Sequence, residues 1–162
     1  MTILQRAGDR LALMQRTRTV AIVGVSSNPS RASYFVATYL ARKAPWTVWY
    51  VNPRETEILG REVYPSLADL PETPDLVDVF RRIDDLPEVV DESIAVGASA
   101  VWFQLGLVHD GAAATASDAG LSVVQNRCLK IEHARFCGGL HDAGFVTGVI
   151  DSRRSRLIAV RE

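Results

Sequence analysis

The chain has 162 residues, enough for one domain with a real hydrophobic core. A net charge of −1 gives no global basic field, which argues against a general nucleic-acid binder; a local anion site needs only backbone amides and a few arginines. No apolar run approaches the roughly 20 residues of a membrane span, the N-terminus lacks the apolar core of a signal peptide, and Cys128 and Cys137 read as reduced thiols, so the expected location is cytoplasmic.

In chain order, Leu4, Ala7, Leu11 and Met14 recur at helical spacing and predict an amphipathic helix over 2–15. The almost uniformly apolar run 19–25 suits a strand buried on both faces. A polar loop, 26–31, leads into a helix over 32–43, with Phe35, Val36, Tyr39 and Leu40 on one side. A second strand covers 46–51 and ends at Asn52-Pro53, because proline cannot donate to the ladder. The stretch 60–70 reads as a connection with a short helical turn at 66–70. A third strand follows at 76–80, then a helix over 84–96 with Pro87 tolerated in its first turn. A fourth strand at 100–105 precedes a helix at 110–119, with Asp110 as N-cap and Gly120 as its stop. A fifth strand covers 121–124, and the chain from Asn126 is less regular.

Strands alternating with helices imply parallel pairing through right-handed crossovers. The expected fold is α/β, a single-domain, three-layer, Rossmann-like doubly wound parallel sheet. Residues 1–18 form a helix packed on the domain, 19–136 form the domain, and 137–162 are a C-terminal extension. Ligands of such sheets bind outside the carboxyl ends of the strands.

At the first strand end, Gly24 allows a tight turn and close approach to a ligand. Ser26, Ser27 and Asn28 offer polar donors, and Arg31 adds charge where a helix begins, a favourable place for phosphate. The dinucleotide fingerprint of three spaced glycines is absent, and so is the Gly-Lys-Ser/Thr of a phosphate loop. At the second strand end, an NAD enzyme needs an acid for the ribose diol, but Asn52, Pro53 and Arg54 stand there, with Glu55 just past the strand. Arg54 suits an extra ribose phosphate, which both NADP and coenzyme A carry. Val79, Phe80 and Arg81 close the third strand and Gln104 the fourth; Phe80 serves equally as core or as a wall for adenine or a pantetheine arm.

No catalytic set stands out. There is no Gly-x-Ser-x-Gly elbow, no metal-like spacing among His109, His133 and His141, and no Cys-x-x-Cys pair. Glu132 and His133 are adjacent, so they do not face each other on a helix. Cys128, beside Arg127 and Lys130, is either a thiol of lowered pKa or a small apolar residue.

Several pieces occur together: 20–34 (VAIVGVSSNPSRASY), Val51-Asn52-Pro53, 77–81 (VDVFR), 95–98 (AVGA) through Trp102-x-Gln104-x-Gly106, 119–124 (AGLSVV), and 126–133 (NRCLKIEH). Over about Thr19 to His133 the chain resembles the small stand-alone CoA-binding proteins, which are similar to the N-terminal CoA-binding domain of the succinyl-CoA synthetase alpha subunit. The resemblance implies coenzyme A, or an acyl-CoA, lying across the strand ends. Gly24, Ser26, Ser27, Asn28 and Arg31 would then cradle phosphates, and Asn52, Pro53 and Arg54 would sit by the adenosine. Val79, Phe80 and Arg81 would line the path, with Gln104 at its border. The synthetase's phosphohistidine domain and an ATP-grasp segment have no room here, so the expected role is a non-catalytic binding or regulatory module for a small-molecule nucleotide. The alternative is an NADP-dependent oxidoreductase. A homo-oligomer or a protein partner stays open, and neither nucleic acid nor membrane is expected.

Overall fold

The computed structural model describes residues 3–137, so most of the expected C-terminal extension, 138–162, lies outside the described residues. Seven strands form one sheet: β1 (Thr19–Val23), β2 (Thr47–Val51), β3 (Glu57–Ile58), β4 (Arg61–Tyr64), β5 (Leu76–Val79), β6 (Ala100–Phe103) and β7 (Ser122–Val124). Their spatial order is β3-β4-β2-β1-β5-β6-β7, parallel throughout except for the β3–β4 hairpin. This is the expected α/β Rossmann-like sheet. The central strands β1, β5 and β6 are buried at every position, because helices cover both faces.

The helices are α1 (Ala7–Arg16), α2 (Ala32–Lys43), α3 (Leu86–Ala95), α4 (Asp110–Asp118) and α5 (Leu129–Phe136). On one face, Leu13 and Met14 of α1, Val36 and Leu40 of α2, and Leu129 and Phe136 of α5 pack with Val20, Ile22, Tyr50 and Trp102 of the sheet. On the other, Val89 and Val90 of α3 and Ala112, Ala113 and Ala116 of α4 pack on Ala21, Val77, Val101 and Val123. The alternation of β5 thus sends Val77 and Val79 to one face and Asp78 to the other.

Several details differ from expectation. Helix α1 starts at Ala7 because the chain first runs beside β7, where Leu4 N–H donates to the Val123 carbonyl (2.7 Å). The stretch 60–70 holds strand β4, which turns back from β3 through Leu59 (φ 53°) and Gly60 (φ 72°). Both turn residues have positive φ, as a two-residue hairpin loop requires, but leucine is not a residue that announces it. Residues 129–136 form a regular helix where the sequence suggested irregular chain. The N-cap of α4 is His109, whose Nδ1 accepts from Ala112 N–H (3.0 Å), and Asp110 is the first helical residue. On α2, Val36 and Leu40 enter the core, whereas Phe35 is 60% exposed.

Candidate functional site

The winding of the sheet reverses at β1, whose neighbours β2 and β5 lead to opposite edges. A crevice opens outside the strand ends at such a point. Gly24 sits there with φ 85°, and a Cβ on it would overlap the carbonyl oxygen of Phe80. Its N–H donates to Val51 O (2.9 Å), while Phe80 N–H donates to Val23 O (2.8 Å), so the ends of β2, β1 and β5 are stitched together. Only glycine permits this approach.

The loop after Gly24 satisfies most of its own polar groups. Ser27 N–H and hydroxyl both donate to Glu55 Oε1 (3.1 and 2.8 Å). Asn28 N–H donates to Ser26 Oγ (3.1 Å), and Asn28 Oδ1 accepts from Ser30 N–H and hydroxyl (3.0 and 2.8 Å). The amides of Ala32 and Ser33 open α2 and have no acceptor within the helix; Arg31, at the N-cap, provides no side-chain cap. The start of α2, beside Arg31, therefore keeps more open donors than the Ser27–Asn28 apex. An anion at Ser27 would compete with Glu55.

At the end of β2, Asn52 braces two loops: its Nδ2 donates to Val25 O (2.8 Å) and its Oδ1 accepts from Arg54 N–H (2.9 Å). Pro53 and Arg54 are exposed beside it. At the end of β5, Arg81 reaches Asp85 (3.3 Å) and keeps part of its guanidinium in solvent. Val79 is fully buried, so its side chain stands behind the site and not in it.

Two clefts meet at Gly24 and Arg81. The larger, about 560 Å³, runs along the strand ends from Ser26, Arg31 and Ser33 past Phe80 and Gln104 to Leu105, Cys128 and Ile131. The smaller, about 120 Å³, lies toward β2 and includes Pro53 and Val51. Of the residues singled out from sequence, Gly24, Ser26, Arg31, Phe80, Arg81 and Gln104 line the larger cleft, and Pro53 joins the smaller one. Ser27, Asn28, Asn52 and Arg54 line neither.

Beneath Gln104 lies a group that strand periodicity alone did not mark. Asp78 is fully buried, its Oδ1 accepts from Gln104 Nε2, and its Oδ2 has no partner. Burial pushes its carboxyl up to about 8, with the Gln104 bond pulling the other way, so Asp78 is largely protonated at neutral pH. The signal was a lone acid in the apolar run Leu76–Val79. Burial also raises the Cys128 thiol, which resolves that residue against a reactive thiolate. Glu132 and His133 point apart, as their adjacency required: Glu132 pairs with Arg10 (2.9 Å), and His133 Nδ1 meets the Tyr39 hydroxyl (3.0 Å). Burial lowers the His133 pKa.

The family model for the CoA binding domain matches residues 18–134. The chain belongs to this family. YneT of Bacillus subtilis (strain 168), an uncharacterized protein, is 34% identical over 122 residues, which is 75% of this chain and 90% of YneT. The solved structure of Prb, a PH1109 protein redesigned for binding, superposes with a TM-score of 0.80 at 36% identity, covering 85% of this chain and 96% of that one. The ADP-forming acetate–CoA ligase I of Archaeoglobus fulgidus is 33% identical over 75 residues; these are 46% of this chain but 11% of the ligase. No described helix is long and apolar enough to cross a membrane.

Proposed function

We propose that this protein holds coenzyme A or an acyl-CoA along the carboxyl edge of its sheet, as a binding or regulatory module without chemistry of its own. The observation that carries this is the polarity of the larger cleft. One end has the open amides of α2 with Arg31 and Arg81; the other is bounded by Leu105, Leu107 and Ile131, with Gln104 as its polar group. A ligand with phosphates at one end and a long arm of methylenes and amides suits that gradient: the helix start and arginines take the anion, the apolar wall takes the arm, and Gln104 takes an amide. The smaller cleft beside Pro53 leaves the adenosine end a place near Arg54. Family membership supports the same ligand class.

The site residues separate in a binding experiment. Arg81→Ser removes the cation shared by both clefts and is expected to weaken CoA by at least tenfold, about 1.4 kcal/mol. Arg54→Ala is expected to weaken CoA more than dephospho-CoA, which lacks the 3′-phosphate. Equal losses for the two would remove Arg54 from that role.

A further inference from the structure

A second concavity lies away from the strand ends, between the outer side of α2 and the start of α5. It has a volume of about 360 Å³ and is walled by Tyr34, Phe35 and Tyr39 and by Arg42, Lys43 and Lys130, with Pro29 and Thr38 completing it. Among the described residues no carboxylate lines it, although the chain carries more acids than cations. Among the described residues, none of its three cations forms an ion pair.

The cations differ in what their positions mean. Arg42 and Lys43 occupy the last turn of α2, where the helix dipole favours a positive charge in any case. Lys130 occupies the first turn of α5, where the dipole disfavours it. It is held over two rings, its Nζ 5.6 Å from the centre of Phe35 and 5.8 Å from that of Tyr39. Tyr39 is in turn anchored through its hydroxyl to buried His133. Phe35, 60% exposed, leaves an aromatic surface facing solvent at the rim. A positive charge placed against its helix dipole, two more beside it and an open ring together suit an anion attached to a flat ring system.

We propose that this cleft is a second ligand site, for a planar aromatic anion of the nucleoside-monophosphate class. The base stacks on Phe35 and Tyr34, and the phosphate lies among Arg42, Lys43 and Lys130. The site does not depend on CoA being the ligand of the strand-end cleft. The two clefts share no lining residue, but they lie on either side of α2 and its preceding loop.

The test is calorimetric titration with GMP, whose guanine differs from the adenine of CoA, on protein already saturated with CoA. Guanosine and inorganic phosphate serve as the two half-ligands. GMP is expected to bind more tightly than either half. Phe35→Ser and Lys130→Ser should each weaken it by about tenfold while leaving CoA affinity and the folded-state spectrum unchanged. The proposal is overturned if CoA displaces GMP, if inorganic phosphate binds as well as GMP, or if both variants bind GMP like the parent. Sedimentation showing that the cleft is instead buried between two copies of the chain, with no GMP bound, would overturn it as well.

Discussion

Replacing Asp78 by asparagine should make this protein more stable at neutral pH and remove a large part of its pH dependence. The carboxyl is fully buried and its pKa is raised from 3.8 to about 8. Between those values the native state binds a proton that the unfolded chain does not. Stability from this group is therefore complete below pH 3.8 and is lost as pH rises toward 8. From 3.8 to pH 7 is about three pH units at about 1.4 kcal/mol each, an upper bound of about 4 kcal/mol. The asparagine side chain would keep an acceptor for Gln104 and a donor in place of the carboxyl proton, without a charge to bury. Buried His133 works in the opposite sense: its pKa is lowered, so its contribution is present above about pH 6.5 and is lost as pH falls. The useful quantity is thus the difference between parent and Asp78→Asn, measured by urea unfolding from about pH 4.5 to about pH 8. That difference should be small at the acid end and grow in favour of the variant with increasing pH. Parallel pH profiles for the two proteins would refute the buried, proton-bearing Asp78.

Other consequences can be measured separately. Gly24→Ala puts a methyl group against the Phe80 carbonyl at φ 85°; a loss of at least about 2 kcal/mol in urea unfolding is expected, with CoA binding lost alongside. Arg10→Met leaves Glu132 buried without its partner, their side chains being 6% and 4% exposed. That should cost about 3–5 kcal/mol, and Arg10→Met/Glu132→Leu should recover most of it; a double variant no better than the single would remove the pair from the account of how α1 docks on α5. Glu55→Gln removes the charge that Ser27 N–H and hydroxyl hold. With the phosphate at the start of α2, CoA affinity should stay unchanged; a several-fold rise would mean that the phosphate reaches the loop apex instead.

The parallel core was legible because buried strands are written as apolar runs and their crossover helices carry regular stripes. Two elements were not. The β3–β4 hairpin turns on Leu59-Gly60, and leucine at positive φ is not a recognisable turn residue. Helix α5 buries Leu129, Glu132, His133 and Phe136 at correct helical spacing, but two of the four are polar and find their partners, Arg10 and Tyr39, on distant helices. The strand ends pointed to the edge of the sheet where the larger cleft lies, because Gly24, Phe80, Arg81 and Gln104 terminate successive central strands. Sequence did not distinguish residues that face the cleft from those that brace it. Asn52, Ser27 and Asn28 have ligand-binding chemistry, yet their hydrogen bonds are made within the loops. Asp78 was passed over because strand alternation placed it under Gln104, a relation visible only once β5 and β6 are paired.

The central claim is tested most directly by calorimetric titration of ligand-stripped protein with CoA, with dephospho-CoA and NADP as controls. The expected result is saturable CoA binding, tighter than either control and weakened by Arg81→Ser. Absence of heat with CoA together with clear binding of NADP would contradict it and turn attention to hydride transfer.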